Sequence, residues 1–97
     1  MAKVSGKYEL LYILDTDLGE ENIAAAVEKF KKLIEENGTI AETDEWGRRR
    51  LAYRINDKAD GHYVIVRFES KPEFPQELTR VLGITDGVLR YLITDIA

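Results

Sequence analysis

The chain has 97 residues, with 14 Lys and Arg against 18 Asp and Glu for a net charge of −4, and no cysteine. That length suits one domain over residues 1–97, able to bury roughly two-thirds of its unfolded surface. The absence of thiols excludes disulfides, thiolate metal sites and thiol catalysis, and the acidic balance argues against indiscriminate nucleic-acid binding. No apolar run approaches the ~20 residues of a membrane span. Residues 1–6 carry no apolar signal core, so the expected location is cytoplasmic.

Residues 7–14 read as a strand with apolar positions on both sides. Tyr8, Leu10, Tyr12 and Leu14 form one face, and Glu9, Leu11 and Ile13 the other, as in a central strand. Asp15-Thr16-Asp17 supplies turn and N-cap chemistry, and Glu20 and Glu21 suit the positive end of a helix dipole. The helix is predicted over about 19–37. Ile23, Val27, Phe30 and Ile34 fall on one stripe, and Gly38 is expected to close it in the left-handed C′ conformation. A second strand runs from about Thr39 to Asn56, with an irregularity at Gly47. Residues 56–61 read as a turn and 62–70 as a third strand, which makes a hairpin. Lys71-Pro72 is expected to open a second helix with Phe74, Leu78, Val81 and Leu82 inward, and Gly83 to end it. Asp86-Gly87 is a turn, and residues 88–95 form the last strand.

This order is strand, helix, strand, strand, helix, strand. With right-handed crossovers it gives an α+β, ferredoxin-like βαββαβ fold, a four-stranded antiparallel sheet with both helices on one face. The other face is left open. If Val64, Val66 and Phe68 lie under the helices, Tyr63 and Ile65 face outward, joined by Leu11 and Ile13 from the first strand. These four are the candidate partner-binding patch.

The densest chemistry lies at Trp46-Gly47-Arg48-Arg49-Arg50-Leu51-Ala52-Tyr53-Arg54-Ile55. Between Trp46 and Lys58 there are five cations and one carboxylate, Asp57, whereas acids dominate the first helix and the stretch Glu42, Asp44, Glu45. Arginines on a strand that also joins the core suit phosphate binding, because the guanidinium donates two parallel hydrogen bonds. The competing reading is surface charge paired with Glu42, Asp44 or Glu45. Arg49 should point opposite to Arg48 and Arg50. Arg67 and Arg90 either extend the patch or stand as isolated charges, with isolation favoured for Arg67. Trp46 reads as core or edge packing beside Gly47, with base stacking as the alternative. His62, the one histidine, reads as structural. No Ser-His-acid set, P-loop or clustered metal ligands are present, so no enzyme activity and no cofactor are expected.

The Lys7-Tyr8-Glu9 opening, Gly47-x-Arg49-Arg50-Leu51-Ala52-Tyr53-x-Ile55, the Gly61-x-Tyr63 strand start and Val88-Leu89-Arg90-Tyr91-Leu92 together resemble the bacterial small-subunit ribosomal protein six family. The resemblance spans nearly the whole chain, and Arg-Arg-Leu-Ala-Tyr is its most specific element. It implies the ferredoxin-like fold, binding to the central domain of small-subunit ribosomal RNA, and pairing with small-subunit ribosomal protein eighteen. Lys7, Arg49, Arg50 and Arg90 match basic positions of the family. Arg48 stands where another member has an apolar residue, and Arg54 where many have proline. The acidic C-terminal tail of some members is absent. With Arg48 and Arg54 added as further contacts, the implied RNA-binding set is Lys7, Arg48, Arg49, Arg50, Arg54 and Arg90. Two other classes share the topology. An RNA-recognition motif fits poorly, because Asp60, Val64 and Arg67 stand where a cation and aromatics belong. An ACT-like regulatory module that dimerises around a small molecule would need a glycine turn after the first strand, where only Gly19 is offered.

Overall fold

The computed structural model describes residues 6–55 and 58–96, with residues 52–55 and 58 as backbone only. The elements in order are β1 (Gly6–Leu14), a 3-10 turn (Thr16–Leu18), α1 (Glu20–Asn37), β2 (Gly38–Ile55), β3 (Lys58–Ser70), α2 (Phe74–Ile84) and β4 (Val88–Asp95). The sheet order is β2-β3-β1-β4, with antiparallel β2–β3, β3–β1 and β1–β4 pairs. This is the ferredoxin-like arrangement expected from the element order.

The core forms between one sheet face and both helices. Leu10, Tyr12 and Leu14 of β1 and Val64, Val66 and Phe68 of β3 meet Ile23, Phe30 and Ile34 of α1 and Phe74, Leu78 and Leu82 of α2. Burying each large apolar side chain stabilises the fold by about 1.5–3 kcal/mol. The Tyr12 and Phe30 rings meet edge to face at 5.2 Å, as do Phe68 and Phe74 at 5.9 Å. Val27 and Val81, at the margins of their stripes, are only partly buried against the core.

Several boundaries differ from the sequence expectation. Asp15 caps the 3-10 turn, its carboxylate accepting from the Asp17 N–H at 2.9 Å, while α1 starts from Gly19 with no side-chain cap. Gly38 is extended rather than left-handed, because it enters β2 at once opposite Ser70, where a Cβ would run into the Glu69 backbone. α2 begins at Phe74, with Pro75 in its first turn, and runs through Gly83 to Ile84; Pro is well suited there because the first-turn N–H groups have no helical partner. The β2–β3 hairpin is longer than predicted. Asp60 and Gly61 are paired with Arg50 and Arg49 instead of lying in a turn, and residues 56 and 57 of the expected turn lie outside the described residues.

Candidate nucleic-acid and partner interface

β2 carries the arginines, and a bulge decides where they point. The β2–β3 register runs Asp44↔Ile65 and Glu45↔Val64, then skips to Gly47↔Tyr63, Arg48↔His62 and Arg49↔Gly61. Gly47 sits at φ +77°, a left-handed conformation that costs other residues ~1–2 kcal/mol. The extra residue, Trp46, changes the parity of the strand. Without it Arg48 would share the face of Asp44. With it Arg49 does, and Arg48 turns to the helix side beside His62.

The consequences for the predicted cations are unequal. Arg48 is engaged by Asp60, its Nε donating to Oδ2 at 2.7 Å, and Asp60 also accepts from the Thr16 hydroxyl at 3.0 Å. This cluster ties the hairpin to the 3-10 turn. Arg50, opposite Asp60, shares that side by alternation and is exposed. Arg49 is exposed on the open side, and among the described residues no hydrogen bond or ion pair engages it. Arg90 stands opposite Ile13 on the same open face. Lys7 is also on that face but six β1 positions from Ile13, about 20 Å away along the strand, so the fold does not bring it to the arginines. The Arg54 side chain lies outside the described residues.

The open face carries an apolar stripe across three strands: Tyr63 and Ile65 of β3, Leu11 of β1 and Leu92 of β4, joined by the register Leu11↔Ile65 and Leu11↔Leu92. Leu92 is 59 % exposed. Sequence reasoning missed it because only the β1–β4 pairing gives β4 its facing. Ile13, expected at this surface, is buried, with its side chain lying where Gly61 has none. It is on the open face by register but covered, opposite Tyr63 and Arg90. Trp46, read from sequence as core or edge packing, lies outside the core, 46 % exposed, and stacks on Tyr63 at 6.2 Å and 13°. Its indole N–H donates to Asp44 Oδ2 at 2.9 Å.

The far end of the same face is closed by charge. Arg67 Nε donates to Glu9 at 2.8 Å and Nη1 to Glu42 at 2.6 Å. The hydrogen bond accepted by Glu42, and then that accepted by Glu9, hold the guanidinium still more firmly protonated. Arg67 is therefore an internally neutralised crosslink between β1, β3 and β2, not the isolated charge expected.

On the helix side an open cleft of about 460 Å³ lies between the start of α1 and the hairpin, lined in part by Glu20, Glu45, Arg48 and His62. His62 Nε2 and Glu45 Oε2 are 2.8 Å apart, which makes His62 a clasp across β2 and β3. The Thr16 hydroxyl, which lines the same cleft, is engaged in its hydrogen bond to Asp60. Among the described residues no group of three or more His, Cys, Asp or Glu is placed to hold a metal ion, and no helix is long and apolar enough to cross a membrane.

The chain and its strand order are matched by known proteins. The family model for ribosomal protein S6 matches residues 7–95. The chain belongs to the ribosomal protein S6 family. It is 55 % identical over 87 residues to the small ribosomal subunit protein bS6 of Thermoanaerobacter pseudethanolicus, covering 89 % of this chain and 92 % of that one. It is 51 % identical over 89 residues to bS6 of Clostridium novyi, covering 91 % and 94 %. The crystal structure of 30S ribosomal protein S6 from Thermotoga maritima superposes with a TM-score of 0.90 at 29 % identity, covering 95 % of this chain and 88 % of that one. Membership makes the chain a structural, non-enzymatic component of the small ribosomal subunit, located with the ribosome in the cytoplasm. It also decides against the RNA-recognition and ACT-like alternatives that share the topology.

Proposed function

We propose that this S6-family chain binds the central domain of small-subunit ribosomal RNA jointly with small-subunit ribosomal protein eighteen. The observation that carries this reading is the conjunction on one uncovered sheet face of an apolar stripe (Tyr63, Ile65, Leu11, Leu92) and a cation, Arg49, that no carboxylate among the described residues neutralises. The stripe docks the partner protein, because apolar surface of this kind is stabilised by covering it. Arg49, with Arg50 and Arg90, meets phosphates at the border of that contact. Arg48, already held by Asp60, acts mainly as a brace. Lys7 is a separate, weaker contact.

Because the chain carries a net charge of −4, its RNA affinity alone is low, and the partner supplies the missing positive field. The test is a titration of a central-domain RNA fragment at fixed salt, with and without protein eighteen. Tight binding that needs both proteins supports the joint mechanism; equal affinity with and without the partner refutes it. Arg49→Ala combined with Arg50→Ala weakens RNA binding while circular dichroism stays native. Loss of the fold in that variant would make the arginines structural instead.

A further inference from the structure

Trp46 is unusual in being nearly half exposed and yet fixed in orientation. One face of its indole lies against Tyr63, and its N–H is held by Asp44 Oδ2. Nearly half of the Trp46 surface stays exposed at the rim of the apolar stripe. Asp44, opposite Ile65 on this same face, uses only one carboxylate oxygen in that bond, and Oδ1 has no partner among the described residues. A rigid π-face edged by a carboxylate is a cation subsite. Ring quadrupole and carboxylate attract the same sign of charge, and a planar guanidinium can stack on the one while donating to the other.

We propose that the Trp46–Tyr63 stack and Asp44 together receive an arginine side chain of the protein partner. The inference rests on the reading that a protein docks on the open face, and it names the chemistry that the partner brings there. A nucleobase is the competing occupant, and the charge disfavours it. The phosphate attached to a base stacked on Trp46 would approach Asp44 on the same face. Arg49 lies beyond Gly47, two positions or about 7 Å further along the strand. The pinned ring also favours tight binding, since little side-chain freedom remains to be lost.

The test is calorimetric titration of protein eighteen, without RNA, into the wild-type chain and the variants Trp46→Leu, Trp46→Phe and Asp44→Asn at two salt concentrations. RNA titrations of each preformed pair run in parallel. Trp46→Leu is expected to weaken the protein–protein affinity about tenfold or more and Trp46→Phe less, following the order of ring quadrupoles. Asp44→Asn weakens it severalfold and flattens its salt dependence, because one charge pair is lost. Asp44→Asn keeps the indole hydrogen bond through its amide oxygen, so its effect is separable from any loss of fold in the Trp46 variants. Four results overturn the proposal: all variants within about twofold of wild type; a Trp46→Leu loss with Asp44→Asn silent, which means apolar anchoring alone; a loss confined to the RNA titration, which means a base platform; and no binding of the wild type. Only the last also removes the reading on which the inference rests.

Discussion

Two aromatic pairs sit on opposite sides of one sheet. Tyr12 meets Phe30 under the helices, fully buried, whereas Tyr63 meets Trp46 on the uncovered side with the indole nearly half exposed. The chemistry of the pairs is alike, and their use differs because one has helices over it. The buried pair contributes folding energy, since its area is removed from water in every folded molecule. The exposed pair holds its area in reserve until something covers it. The charges divide in the same way. Arg67 is closed off by Glu9 and Glu42, while Arg49 at the other end of the open face is engaged by no described residue.

This comparison is sharpened most by Phe30→Ala, which should cost about 3–5 kcal/mol in urea unfolding through loss of area and the cavity left behind. Trp46→Leu, by contrast, should change stability by no more than about 1 kcal/mol. If the two costs were equal, the open pair would be part of the core. Next in size is Gly47→Ala, expected to destabilise by ~1–2 kcal/mol because alanine resists the positive φ. Tryptophan fluorescence should shift with it, as the bulge that seats Trp46 on Tyr63 relaxes.

Tyr12→Phe is expected to go the other way. Among the described residues the buried Tyr12 hydroxyl has no hydrogen-bond partner, and such a group costs ~1–3 kcal/mol, so its removal should stabilise the fold by about 1 kcal/mol. Burial first, and then the nearby Glu45 carboxylate, push the Tyr12 phenol up from its ordinary value of 10.0. Above that pH the unfolded chain ionises Tyr12 while the folded chain keeps it neutral. Tyr12 therefore imposes no ionisation penalty on folding below pH ~10, and stability is lost as pH rises further. Tyr12→Phe should lose less stability than wild type in alkaline urea titrations, and identical slopes would contradict this account. The smallest expected effect separates the two sides of β2. Arg49→Ala should lower the salt slope of RNA binding by about one with stability unchanged. Arg48→Ala should leave that slope nearly intact and loosen the Asp60 cluster. Identical RNA behaviour in both variants would erase the distinction between the sides.

Much of the fold was legible in the chain. The stripe Ile23, Phe30, Ile34 at helical spacing and the alternation Val64, Val66, Phe68 each specify an element and its buried face, because the spacing of apolar residues must match the period of the backbone. The element order then leaves few topologies with right-handed crossovers. The arginine strand and the apolar open face were likewise readable as candidates. Which arginine belongs to which face was not. Alternation of period two assigns neighbours to opposite sides but leaves open which side is which, and one inserted residue reverses the assignment. The bulge at Trp46 makes that reversal, turning Arg49 to the face of Asp44 and Arg48 to Asp60. Pairing between distant strands settled the rest. It set Lys7 opposite Glu69, at the other end of the face from Arg49, exposed Leu92 beside Leu11, buried Ile13 against Gly61, and closed Arg67 between Glu9 and Glu42. The sequence by itself determined local periodicity, element order and the supply of charge. Only the tertiary structure decided which charges neutralise one another and which remain for a ligand, because that depends on contacts between residues far apart in the chain.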